Sequence, residues 1–207
     1  MKLAILGDGG FAREVLVLAK QIEKFRKEDW KFTFAVPQEY YTKTIIHGCE
    51  VVKIEDLKID EFKFVTAIGD SKIREKIHKN YGFQPSHFIN LIHPSVEIDT
   101  SVKLGIDVII TSGCIITADI TIGNHVHLNM QTTVGHDTNI DDYFTSAPST
   151  NISGSCKIGK HVYFGTQSAV KQGIEICDNV TIGMGAMVTK CIESPGFYIG
   201  MPLKKIT

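Results

Sequence analysis

Of the eight histidines in this chain, His136 has the neighbours and spacing that chemistry asks for. It stands in the run Val134-Gly135-His136-Asp137, with a carboxylate directly after the imidazole. Imidazole is neutral near pH 7 and takes a proton without a large pKa shift, and an adjacent acid can orient or charge the ring. The pair therefore suits general-base catalysis, with His136 as base and Asp137 as its support. The other histidines, His47, His78, His87, His93, His125, His127 and His161, read as surface or hydrogen-bonded side chains. Five scattered cysteines, Cys49, Cys114, Cys156, Cys177 and Cys191, include no CxxC pair, so reduced thiols are expected and neither zinc nor a redox couple. A second chemical signal lies near the start, where Gly7-x-Gly9-x-x-Ala12 follows an apolar run and opens a helical pattern. Backbone amides and a helix dipole at such a place hold phosphate, or the glycines simply permit a tight turn. The acid that a dinucleotide fold carries after its second strand is missing: Val36-Pro37-Gln38 stands there, and the nearest carboxylate in sequence is Glu39.

The element that must position His136 is written in a six-residue beat. Stepping by six from Ile92 to Val188 meets Ile, Leu or Val at fifteen of seventeen slots, Ser146 and Phe164 being the others. No helix or ordinary strand has that period, so the unit is a short strand plus a turn, stacked into a parallel solenoid whose neighbouring rungs share hydrogen bonds and core. A second column four residues on is β-branched or small (Val108, Cys114, Ile120, Val126, Thr132), and should also face inward. The residue after each large aliphatic is often Gly, Asn or Asp, which predicts that this place takes the unusual backbone angles of the corner. His136 and Asp137, third and fourth in their hexad, should face outward. Residues 18 apart should stack, putting His136 between Ala118 and Gly154.

Residues 1–88 read as a small α/β domain, with strands at Lys2 to Leu6, Lys31 to Val36 and Phe62 to Ile68 and helices at Phe11 to about Phe25 and Asp70 to about Asn80. The solenoid follows over 89–193 and a tail over 194–207. With 22 basic against 23 acidic residues and no basic block, a nucleic-acid partner is not expected. The N-terminus is too weakly apolar for a signal peptide or membrane span, which points to a cytoplasmic chain.

A small α/β domain followed directly by a hexapeptide solenoid resembles the sugar acetyltransferases that include the bacterial sialic acid O-acetyltransferases and the nucleotide-linked 4-amino-sugar N-acetyltransferases. The resemblance rests on GDGGFARE, Ile68-Gly69-Asp70 with Arg74, Asn90 to Ser95, Val134 to Asp137, Asn151 to Gly154 and Ile199-Gly200-Met201-Pro202. It implies a left-handed β-helix and a homotrimer with acetyl-CoA in the groove between two solenoids. It implies His136 as general base supported by Asp137, and an amide at Gly154 for the developing oxyanion. Thr145, Gly165, Thr166, Met184 and Lys204 would lie along the CoA. Lys204 and Lys205 are read either as charges for CoA phosphates or as a solvated tail. Gly9, Gly10, Phe11 and Asp70 would hold the nucleotide sugar. O-acetylation of a sialic acid and a non-catalytic scaffold are the alternatives. A metalloenzyme on the same solenoid would need two histidines five residues apart, whereas Gln131 and Asp141 flank His136 at that spacing. Leu203 stands where this family usually has Ala.

Overall fold

The computed structural model describes residues 1–200 and 204–206, the side chains of Lys204 and Ile206 excepted. The chain divides into two compact units, Met1–Pro94 and Ser95 to the C-terminus.

In the first unit β1 (Lys2–Leu6) lies between β2 (Lys31–Val36) and β5 (Lys63–Thr66), and β2 continues to β4 (Cys49–Lys53) and the short β3 (Ile45–Ile46). All pairs are parallel except the β3–β4 hairpin, which the sequence pattern does not announce because β3 is only two residues long. Leu3, Ala4, Ile5 and Leu6 are fully buried, as a strand covered on both faces requires. Helix α1 (Gly10–Arg26) turns Ala12, Val15, Leu16, Leu18, Ala19 and Ile22 inward, and α2 (Ser71–Asn80) follows β5.

The second unit is a left-handed parallel β-helix of two-residue strands. Thr133–Val134 pairs with Ile115–Ile116 below and Asn151–Ile152 above, 18 residues away in each direction, and the same step repeats on the other two faces. From Val108 onward both columns expected inside are inside, whereas Ile92, Ile98 and Leu104 at the start are half-buried. Ile116, Ile122, Leu128, Val134 and Ile140 are at most 2% exposed, and Cys114, Ile120, Val126, Thr132 and Thr138 are fully buried. Buried hydroxyls are satisfied locally: Thr132 Oγ1 donates to the Asn129 carbonyl at 2.6 Å, and Ser168 Oγ donates to the Gly165 carbonyl at 2.6 Å.

The corners differ from expectation in an instructive way. The left-handed backbone falls three residues after each large aliphatic, not one, at every sixth position from Asp107 to Gly185, and most of those positions are not glycine. Asp119, His125, Gln131, Asp137, Tyr143 and Ser155 all have φ between 56° and 62°. Rung-to-rung bonds hold them there, such as Asp137 N–H to Ala118 O at 3.2 Å and Tyr143 N–H to Asn124 O at 2.9 Å. Glycine directly after the aliphatic serves close approach instead: a Cβ on Gly123 would fall 2.7 Å from Asp142 N, and one on Gly165 2.5 Å from Met184 N. His125, Tyr143 and His161 stack on one another at 4.9 and 5.0 Å along one corner, with Asp107 Oδ2 3.0 Å from His125 Nδ1. These rings are nearly buried, so His125 and His161 are packing elements of the corner rather than surface side chains.

Gly123→Ala, remote from His136 in the sequence, should destabilise the second unit by about 1–3 kcal/mol because the added methyl meets backbone on the next rung. Gly9→Ala, with nothing within 4 Å of the added methyl, should leave stability unchanged. Denaturant unfolding of the two variants checks the contrast.

Candidate active site

His136 sits where the first face, ending in Thr133–Val134, turns into the second, beginning with Asn139–Ile140. Its backbone is clamped between rungs: Ser155 N–H donates to His136 O at 2.7 Å, and Asp137 N–H donates to Ala118 O. The left-handed turn at Asp137, φ 57°, brings that carboxylate back toward the ring it follows. Asp137 Oδ2 lies 2.7 Å from His136 Nδ1. A proton on Nδ1 donates to the carboxylate, and Nε2 then carries the lone pair that can accept another proton.

The ring leans over Gly154. A Cβ there would fall 2.7 Å from His136 Nε2 and 2.8 Å from Cε1, so only glycine leaves the space that the imidazole occupies. Gly154 is buried, and its N–H donates to no acceptor among the described residues. A basic nitrogen and an unspent amide donor thus meet at one corner. His136 and Asp137 are exposed, with 55% and 62% of their side chains accessible. Cysteine has no part in this arrangement. Cys156 and Cys114 point into the solenoid core and are fully buried, and burial pushes both thiols up, Cys114 to about 11.

The remaining expected contacts fall on other parts of the second unit. Gly165, Thr166 and Met184 occupy the corner between the third face and the first, so the first face lies between them and His136. Met184 is 77% exposed and Thr166 half-buried. Thr145 is a strand residue of the third face and is only 5% exposed; within one chain the structure does not bring it to His136. Of the expected tail contact, the Lys204 side chain lies outside the described residues, as does Leu203. On the other side of the His136 corner, a groove of about 700 Å³ runs over the second face, floored by Thr121, Asn139, Lys157 and Glu175 and closed by Ile192. Nothing in the sequence singles out this groove, because most of its lining consists of ordinary strand and corner positions of the hexads.

In the first unit Gly7 needs to be glycine: φ is 110°, and a Cβ would touch Ala67 O at 3.0 Å. Gly9 and Gly10 do not, because Gly9 has φ −79° and neither would be crowded by a side chain. The fold leaves that space open at the start of a 17-residue helix, where amide donors point outward. Phe11 is the second residue of the helix and half-buried. Asp8 in the turn pairs with Lys43 at 3.0 Å. Asp70, expected beside the ligand, caps α2: its Oδ1 accepts Lys72 N–H at 2.8 Å and Ile73 N–H at 3.1 Å.

Family models match both parts of the chain: the PglD N-terminal domain over residues 2–81 and the hexapeptide repeat of succinyl-transferase over 156–190. Together with the β-helix these define a hexapeptide-repeat transferase with a PglD-type N-terminal domain. The chain is 29% identical over 177 residues to the GDP-perosamine N-acetyltransferase of Escherichia coli O157:H7, covering 82% of this chain and 78% of that one. It superposes on the acetyltransferase domain of PglB from Neisseria gonorrhoeae FA1090, a structure in complex with acetyl coenzyme A, with TM-score 0.86 and 25% identity over 99% of this chain and 98% of that one. WeeI from Acinetobacter baumannii AYE gives 0.87 and 27% over the full length of both chains. Over nearly its whole length the chain is thus similar to hexapeptide-repeat sugar acetyltransferases. Among the described residues no helix is long and apolar enough to cross a membrane.

Gly154→Ala should keep the β-helix and displace the His136 ring, cutting acetyl transfer by about 10² or more if the ring is the base. A crystal structure and a turnover assay of the variant check both halves of that expectation.

Proposed function

We propose that this protein transfers the acetyl group of acetyl-CoA to the amino group of a nucleotide-linked amino sugar of the 4-amino-4,6-dideoxyhexose type. The observation that carries the reading is the His136 Nδ1 to Asp137 Oδ2 contact of 2.7 Å with the ring seated on Gly154. Asp137 fixes the tautomer that leaves Nε2 basic. The neutral sugar amine attacks the thioester carbonyl carbon and gives its proton to Nε2. Negative charge gathers on the carbonyl oxygen, and the Gly154 amide is the donor for it. Collapse expels the CoA thiolate, and the imidazolium returns the proton to sulfur. No acyl-enzyme forms.

The named activity of the Escherichia coli relative supports amine over hydroxyl as the acceptor, and the PglB complex supports acetyl-CoA as donor. The open space at Gly9 and Gly10 supports a diphosphate on the first amides of α1, with Phe11 beside it. In this reading the chain is a symmetric homotrimer. Acetyl-CoA lies between two solenoids, and the corner that carries Gly165, Thr166 and Met184 faces it.

His136→Asn should leave the assembly intact and lower kcat by about 10² to 10⁴. Near wild-type turnover would take His136 out of the chemistry. A bulky side chain at Gly10 should raise KM for the sugar nucleotide and spare KM for acetyl-CoA; equal damage to both would contradict a separate nucleotide pocket. Thiol release from acetyl-CoA against uridine, guanosine and thymidine diphosphate amino sugars, with free sialic acid alongside, identifies the acceptor.

A further inference from the structure

Parallel sheets that bind nucleotides seat them beyond the carboxyl ends of the strands, and an acid at the end of the second strand takes the ribose hydroxyls. Here that position reads Val36-Pro37-Gln38 and holds none. The register of the sheet supplies one from elsewhere. Strand β4 runs parallel to β2 with Lys53 opposite Val36, so the turn Ile54–Asp56 that follows β4 lies beside the segment that follows β2. Glu55 in that turn accepts the Gln38 N–H at 3.2 Å and the Tyr81 hydroxyl at 2.9 Å, both on Oε1. Its other oxygen, Oε2, accepts no bond from any other described residue, and the side chain is exposed. Slight burial pushes the Glu55 carboxyl up, but bonds from its own amide, Tyr81 and Gln38 and the nearby Lys53 ammonium outweigh it and hold the group below its usual range. Glu39, the nearest acid in sequence, is exposed with no bond that fixes it among the described residues.

We infer that Glu55 stands in for the missing acid, its Oε2 accepting the hydroxyls of a ribose, so that the sugar this chain acetylates is carried by a ribonucleoside diphosphate and not by thymidine diphosphate. The inference rests on the nucleotide-sugar reading of the first unit. One oxygen is held by the protein and the other is left for ligand, an arrangement that fixes the carboxylate in place before a nucleotide arrives.

Calorimetry on the full chain with UDP, GDP, their 2′-deoxy forms and dTDP tests it. The wild type should bind at least one ribonucleotide about tenfold more tightly than its 2′-deoxy form and than dTDP. Glu55→Gln keeps a carbonyl oxygen for Gln38 and Tyr81 and should lose that preference while binding the deoxy form as before. An undiminished preference in Glu55→Gln would overturn the role of Glu55. Wild-type binding of dTDP as tight as of the ribonucleotides would overturn the inference even if the variant failed to fold. Binding of no nucleoside diphosphate at all would instead sink the nucleotide-sugar reading itself, and this inference with it.

Discussion

Rungs of the β-helix are bonded backbone to backbone at an 18-residue step, and every other feature of the second unit is built around the closeness this enforces. A side chain at a corner cannot be larger than its neighbours above and below allow. At several corners the limit is met by a glycine whose missing Cβ makes room for the next rung's backbone, as Gly123 does under Asp142. At one corner the room made by Gly154 is taken by an imidazole. The seating of the His136 ring is therefore a local use of a spacing rule that holds along the whole solenoid.

That same rule explains why Asp137 can support the ring it follows. Two consecutive side chains normally diverge, yet the left-handed turn forced at the fourth hexad position folds the carboxylate back to 2.7 Å from Nδ1. Left-handed backbone is unfavourable for non-glycine residues, and rung-to-rung hydrogen bonds offset its cost. The meeting of ring and carboxylate thus comes from the path of the main chain at this corner. This fits a ring that stands exposed in the single chain.

Much of this was legible in the sequence, because a six-residue hydrophobic beat has no other structural origin. Both core columns, the outward direction of His136 and its stacking on Gly154 follow from counting. The location of the strained corner did not, since His, Gln, Tyr and Ser share it with Asp, Asn and Gly, and so mixed a column does not stand out as left-handed. In the first unit Asp70 is a helix cap, a duty that composition does not separate from ligand binding. Glu55 escaped notice for a different reason: seventeen residues separate it from Gln38, and only the pairing of β2 with β4 brings them together.

The register also dictates how a chain of this kind can change length. Deleting or adding a single residue on any face between Asp107 and Gly185 would push every later aliphatic off the interior and every later corner out of its bonding partner's reach. A whole coil can be gained or lost with each remaining side chain still matched to its vertical neighbour. Evolution of such prisms should therefore proceed in quanta of eighteen, with smaller insertions tolerated only where they bulge outward and return to the same point of the triangle.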